Sequence, residues 1–314
     1  MSGGAMRWLA AFVRLGRPQF LVGGFLLYGL GAAVAVVNGA ALGAGTYALG
    51  QAAITAIQLM THYANDYFDQ AADRANQTPT QWSGGSRVLV GNGGVLSPRV
   101  ALRAAQLLAA LGAALAVTVF VAGGAGGHAA ALALAAALAL AWAYSAPPFR
   151  LHSRGLGELT TAIVVTGLAP LVGFLEQARG PAGVQRLVAA QLPLMGLQFA
   201  MLLAIEFPDA AGDAAVGKRT LVVRLGGRRA AGLYRAVLVA SYGAIPLLLR
   251  AGLPLLGALG AASLLPLAAW QWRALGAGAW QEPRRWEGLA FRAVATLIGT
   301  TAAELAAFVW LARG

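Results

Sequence analysis

Apolar residues in this chain come in long blocks, not in the alternation of a half-buried strand or the narrow stripe of a surface helix. Phe20 to Val37, Val100 to Ala122 and Ala129 to Ala143 are almost unbroken runs rich in Ala, Leu, Val and Gly. A hydrocarbon core of about 30 Å needs about 20 such residues in a helix. Dividing the chain into units of that length predicts nine spans, at residues 18–38, 44–66, 99–122, 128–146, 157–177, 186–206, 229–250, 252–271 and 288–311. Only Arg250, Ala251 and Gly252 separate the seventh from the eighth. The expected fold is all-α, a polytopic membrane bundle of about nine transmembrane helices with cytoplasmic loops capping a central cavity, in a single domain over residues 1–314. Residues 1–17 interleave Trp8, Leu9, Phe12 and Leu15 with Arg7, Arg14 and Arg17 and read as an interfacial amphipathic segment. A cleaved signal peptide competes with that reading, but the first apolar run is long enough to span.

Composition agrees, with 59% hydrophobic and 11% charged residues, against about 25% charged in soluble domains. An ordinary soluble enzyme is excluded. The net charge of +12, carried by 22 Arg and one Lys against 11 acids, would suggest nucleic acid in a soluble protein. Here positive loops set orientation, and no nucleic-acid partner is expected. In the nine-span arrangement 19 of the 23 cations fall on the N-terminal side. They are Arg7, Arg14 and Arg17; Arg74, Arg87, Arg99 and Arg103; Arg150 and Arg154; Lys218, Arg219, Arg224, Arg228, Arg229 and Arg235; and Arg273, Arg284, Arg285 and Arg292. Arg179, Arg186, Arg250 and Arg313 fall on the other. This places the N-terminus in the cytoplasm and the C-terminus outside, in a bacterial-type inner or plasma membrane. With no Cys and three His, any metal would sit on oxygen ligands. The eight Trp read as packing and interface anchors.

The acids are unevenly placed. All five Asp fall in two short segments, Asp66, Asp69 and Asp73 in one and Asp209 and Asp213 in the other, where Glu206 joins them. On one continuous helix the first three would point to about 0°, 300° and 340°, converging on one face. Gln51, Thr55, Gln58, His62 and Asn65 extend a polar stripe down the second span. Asp209 and Asp213 stand at i and i+4, and Pro208 and Gly212 mark a broken or restarted helix there. Both segments end spans that reach the cytoplasmic side. Clustered carboxylates at a membrane boundary repel one another, so a hard divalent cation with oxygen ligands is expected. Mg²⁺ characteristically takes one or two carboxylates together with substrate phosphate. Neighbouring Arg74, Arg87, Lys218 and Arg219 suit a polyanion. The bland reading is a set of solvated, cation-paired loop residues, and two acidic segments on one side with no Asp elsewhere weigh against it.

These residues resemble the UbiA superfamily of intramembrane prenyltransferases. The NDxxDxxxD motif of that family stands here as Asn65-Asp66-Tyr67-Phe68-Asp69-Gln70-Ala71-Ala72-Asp73. Its second motif, DxxxD followed by G-K-x-T and Leu-Gly, appears as Asp209 to Asp213, Gly217-Lys218-Arg219-Thr220 and Leu225-Gly226. A third, Y-S-x-P-P-x-R with a following R-G, matches Tyr144 to Arg150 and Arg154-Gly155. Gly84-Gly85-Ser86-Arg87-Val88-Leu89 resembles the menaquinone branch, the 1,4-dihydroxy-2-naphthoate polyprenyltransferases. That branch commonly carries Asn and Arg before the second Asp pair, whereas this chain reads Ile205-Glu206-Phe207-Pro208-Asp209.

The resemblance implies Mg²⁺-dependent transfer of a polyprenyl group from an isoprenoid diphosphate to an aromatic small molecule. It implies Asp66, Asp69, Asp73, Asp209 and Asp213 as ligands of two Mg²⁺ ions, with Asn65 as a helper. Arg87, Tyr144, Arg150, Arg154 and Lys218 become candidates for diphosphate contacts or for capping the site. Arg150 and Arg154 equally suit an orientation role, and Tyr144 an interfacial anchor. For His62 a packing role is expected, for Glu206 pairing with Lys218 or Arg219, and for His152 a plain loop position. Rival acceptors are 4-hydroxybenzoate, homogentisate, haem, a chlorophyllide, a sugar phosphate, or none in a cyclase. A cation-coupled transporter is a more distant reading, because its acids would stand nearer the midplane. The expected partners are the two substrates and the bilayer, with no obligate protein partner.

Overall fold

The computed structural model describes residues 3–90, 95–178 and 180–313, and every regular element among them is helical. The chain opens with α1 (Gly3–Leu15), α2 (Pro18–Val37) and α3 (Ala44–Phe68), which leads past Asp69 into the short α4 (Gln70–Ala75). A loop then reaches α5 (Pro98–Ala122), followed by α6 (Gly124–Ser145), α7 (Gly157–Gln177) and α8 (Val184–Glu206). Two short helices, α9 (Ala210–Ala215) and α10 (Leu221–Leu225), precede α11 (Gly227–Arg250), α12 (Leu255–Ser263), α13 (Leu265–Gly276) and α14 (Pro283–Leu311). Proline opens α2, α5 and α14, where its missing N–H costs nothing. Ser97 and Thr220 cap α5 and α10 through their hydroxyls.

Seven of these helices are long and apolar enough to cross a membrane: α2, α5, α6, α7, α8, α11 and α14. The pair α12 and α13, bent by 45°, makes an eighth if it is one broken span. This is an integral, multi-pass membrane protein. The expected second span, α3, is not among the seven, although it runs for 25 residues. Its polar stripe is the reason, and that stripe is used inside the protein. Gln58 Nε2 donates to the Phe20 carbonyl at 2.7 Å, and His62 Nδ1 donates to the Gly16 carbonyl at 2.7 Å. Arg179, and residues 1 and 2 of the expected amphipathic segment, lie outside the described residues.

The helices pack as a ring. α2 lies against α3, α3 against α5 and α6, α6 against α7, α8 against α11 and α14, and α14 closes the ring on α2. The α2–α7 crossing is the tightest seam. A Cβ on Gly31 would collide with the Pro170 carbonyl oxygen, and one on Gly173 with the Tyr28 carbonyl oxygen. The two backbones therefore touch directly, as small-residue seams allow in membranes. Within α7, Ala162–Leu168 opens into a π-helical stretch. Thr166 Oγ1 donates to the Ala162 carbonyl and Gln191 Nε2 to the Gly167 carbonyl, both at 2.7 Å, so the altered turn is satisfied from inside the bundle.

Candidate active site

The two Asp segments meet because two helices stop and restart side by side. α3 ends at Phe68, and Asp69 leaves helical geometry at φ −95°, ψ 5° before α4 resumes. The expected unbroken helix is thus kinked at Asp69. Its first and last turns still connect, since Asp69 N donates to the Asn65 carbonyl and Asp73 N to the Asp69 carbonyl, each at 2.9 Å. The second segment breaks between Glu206 and Ala210, next to Pro208, which cannot donate to an ongoing helix. α4 then packs on α9. Gly212 permits this approach, because a Cβ there would lie 2.9 Å from Asn76 N.

Every one of the five carboxylates enters this junction. Asp66 is held by the Arg17 guanidinium and by the Ser86 hydroxyl and N–H, the last at 3.1 Å. Asn65 ties the group together, accepting from Arg17 Nη2 at 3.1 Å and donating to Asp69 Oδ2 at 2.8 Å. Asp69 also accepts from His152 Nε2 at 2.7 Å and from Lys218 Nζ at 3.0 Å. Lys218 reaches on to Asp213 Oδ1 at 3.3 Å and so bridges the two segments. Asp209 accepts from Asn76 Nδ2 at 2.6 Å and from Gly84 N at 3.2 Å. Arg87 donates to the backbone carbonyl of Asp73. Gly84 and Gly85 adopt φ +73° and +72°, and a Cβ on Gly85 would collide with Asp73 Oδ2.

Beneath the junction lies a cavity of about 220 Å³ between α2, α3, α6, α7, α8 and α14. Asn65, His62 and Tyr144 stand at its polar end, and Leu27, Ile54, Ala137, Ala169 and Ile298 line the rest. Two expected residues are not brought to the carboxylates. Arg150 is exposed, and Arg154, also exposed, donates to the Pro148 carbonyl at 2.8 Å. Exposed Arg74 likewise turns to Gln70 at 3.3 Å.

The sequence profile of the UbiA prenyltransferase family matches residues 20–294. The chain belongs to the UbiA prenyltransferase family. Its fold is similar to that of a UbiA homolog from Archaeoglobus fulgidus bound to GPP and Mg²⁺, with TM-score 0.64 and 17% identity over 97% of this chain and 100% of that one. A UbiA homolog from Aeropyrum pernix K1 in its apo form gives 0.62 and 19%, over 87% and 97% of the two chains. A digeranylgeranylglyceryl phosphate synthase gives 0.61 and 14%, over 96% and 99%. Comparison with curated protein sequences returns no match.

In this UbiA-family chain the five carboxylates of the cluster outnumber the cations beside them, Arg17, Lys218 and Arg87. Burial raises Asp73 to about 8, helped by the charges of Asp69 and Asp66, and burial with Asp213 raises Asp209 to about 7. Burial also pushes Asp213 up, and its Oδ2 has no donor. Against its own burial, Asp69 is held well below the usual carboxylate range by Lys218 and His152. Among the described residues no three acids or histidines form a closed metal cage, and Lys218 occupies the space between Asp69 and Asp213. The donor set nonetheless fits a hard divalent cation: all oxygen, under-neutralised, with one buried oxygen unpartnered.

Several members of the junction escaped sequence reasoning. His152, expected as a plain loop residue, is buried, with Nδ1 on the Tyr144 carbonyl and its ring stacked on Tyr144 at 5.1 Å. Its position in the Tyr144–Gly155 motif was the available signal. Arg17, expected as an orientation residue, is the partner of Asp66. Ser86, on Asp66, and Ser145, which accepts from Asn65 Nδ2 at 3.2 Å, likewise stood within quoted motifs, whereas Asn76 carried no signal of its own. Glu206 faces the equally buried Glu158 within the bundle rather than forming a plain ion pair with Lys218 or Arg219.

Proposed function

We propose that this protein transfers a polyprenyl group from an isoprenoid diphosphate to an aromatic acceptor, 1,4-dihydroxy-2-naphthoate, for menaquinone synthesis. The observation that carries the reading is the Lys218 bridge between Asp69 and Asp213 at the polar mouth of an apolar chamber. Asp66, Asp69, Asp73, Asp209 and Asp213 would hold two Mg²⁺ ions, and Asn65 would orient the first pair. Bound Mg²⁺ supplies charge stabilisation to the departing diphosphate. Lys218, Arg17 and Arg87 add fixed positive charge beside that leaving group. The allylic C–O bond breaks, a ring carbon of the acceptor bonds to the allylic carbon, and CO₂ or a proton leaves as aromaticity returns. The chamber holds the prenyl tail and excludes water that would convert the cation to an alcohol. Tyr144 and His62 stand where the acceptor would enter, and exposed Arg150 and Arg154 are available to cap the mouth or to orient the loop.

In this reading α3 is a ninth span, its polar stripe covered by α2, α5 and α6. The excess of cations at the acid-bearing end supports a cytoplasmic N-terminus and site and an external C-terminus. The test is prenyl transfer by purified protein with farnesyl to octaprenyl diphosphates and 1,4-dihydroxy-2-naphthoate, in Mg²⁺ or EDTA. A prenylated, decarboxylated product formed only with Mg²⁺, and lost in Asp66→Ala, is expected. The Ile205–Asp209 sequence favours a different acceptor within the same chemistry, and diphosphate release without the naphthoate product would select it. No diphosphate chemistry with any pair overturns the proposal.

A further inference from the structure

We propose that α1 docks on the anionic headgroups of the leaflet bordering the Asp junction, and that this docking sets the position of Arg17 beside Asp66. The transferase reading above is needed only for the activity readout.

α1 presents three faces. Ala11, Phe12 and Leu15 turn inward, with Leu15 fully buried and Phe12 against Tyr63 at 5.3 Å between ring centroids. Met6, Leu9 and Val13, at i, i+3 and i+7, share a second face and are 62%, 48% and 53% exposed. The third face carries Arg7 and Arg14, both exposed, and the helix contains no acid. An unpartnered apolar face beside two cations suits a helix lying in the interface, with its cations at anionic headgroups. Charge complementarity selects an anionic lipid surface over an apolar protein partner. Position agrees, because α1 runs directly into the end of α2 that carries the Asp junction.

The connection to the site is one residue long. The Gly16 carbonyl after α1 accepts from His62 Nδ1 at 2.7 Å, fixing the end of the helix to α3. Arg17 follows in the left-handed region, at φ 47° and ψ 62°, which a residue with a side chain adopts only when its surroundings demand it. Its guanidinium lies on Asp66 and Asn65. Any tilt of α1 is therefore passed through Gly16 to a cation that shares the Asp66 carboxylate with whatever else the site binds.

The chain has no Cys, so Leu9→Cys carries a single nitroxide label on the full-length protein. This protein is reconstituted in vesicles of phosphatidylcholine alone, or of phosphatidylcholine with phosphatidylglycerol. Docking predicts that the label becomes accessible to oxygen and shielded from a polar relaxation reagent in the anionic vesicles, and that Arg7→Gln with Arg14→Gln returns it to water. Coupling predicts a KM for isoprenoid diphosphate several-fold lower in anionic than in neutral vesicles, with kcat within about twofold. The double variant should lose this lipid dependence while matching the unsubstituted protein in neutral vesicles. A label that stays in water in anionic vesicles overturns the docking. Immersion without any response of KM overturns the coupling. Because immersion is read without substrate, failure of the transferase reading leaves it measurable, and the Mg²⁺-dependent shift of Tm in the two vesicle types then replaces KM.

Discussion

Replacing Lys218 by Met tests the charge balance of the junction most directly. Lys218 Nζ lies 3.0 Å from Asp69 Oδ2 and 3.3 Å from Asp213 Oδ1, with its side chain only 11% exposed. At an effective dielectric of about 20, each attraction is worth about 5 kcal/mol before the desolvation of the ammonium is set against it. Removing one partner of such a buried pair costs about 3–5 kcal/mol net. The lower end applies here, because Asp213 is already pushed up by burial and takes a proton more readily than an ordinary carboxylate. A loss of about 3 kcal/mol lowers Tm by about 5–10 °C. Removing a cation also deepens the charge deficit, so added Mg²⁺ should restore more Tm in the Lys218→Met protein than in the unsubstituted one. Melting curves in detergent, with EDTA or with Mg²⁺, measure both effects. An unchanged Tm in EDTA, or an equal response to Mg²⁺ in the two proteins, would refute a cluster governed by uncompensated carboxylates.

Three further outcomes follow from the same geometry. Gly85→Ala strains a φ of +72° and drives a methyl group into Asp73, so transfer activity should fall at least about tenfold, with unchanged helical circular dichroism; full activity would remove Asp73 from the site. Gly31→Ala sets a methyl group against the Pro170 carbonyl, and overpacking of this kind costs about 1–3 kcal/mol; an unaltered Tm would mean that α2 and α7 do not meet there. Asp73 and Asp209, raised to about 8 and about 7, hold protons in the folded, metal-free protein that the unfolded chain has already released. Stability in EDTA should therefore decline as pH rises from about 4 towards those values, while Mg²⁺ binding, which needs both groups ionised, tightens over the same window. A Tm in EDTA that climbs across that range contradicts the assignment.

Most spans were legible because a membrane helix announces itself in about 20 consecutive residues, a local property. The predicted bounds 157–177 and 229–250 compare with Gly157–Gln177 and Gly227–Arg250. The partial exception is informative: α3 was read from the same blocks, yet its polar stripe keeps it below the apolar character of the other seven. The meeting of the two Asp segments was legible too, since both follow spans that end on the same side of the bundle. Their actual partners were not. Arg17 and Asp66 are 49 positions apart, His152 and Asp69 are 83, and Lys218 and Asp69 are 149. Such pairings depend on how the ring of helices closes, and no local pattern records that. Arg150 and Arg154 illustrate the reverse, residues conspicuous within a motif whose side chains turn to solvent and to a neighbouring carbonyl.

The seam between α2 and α7 has a bearing on product length. It lies just beyond Leu27 and Ala169, the chamber-lining residues of those helices farthest from the Asp junction, and it is made of main chain. A barrier of peptide groups cannot be pushed back by trading one side chain for another, so on the proposed function it fixes the zero mark of a ruler. Adjustment is left to side chains of the chamber wall, such as Ala137 on α6 and Ile54 on α3. Filling the first with Phe should shift products toward shorter tails, and trimming the second to Ala should admit longer ones. The same catalytic head could in this way be fitted to quinones of different length without disturbing a single charged residue.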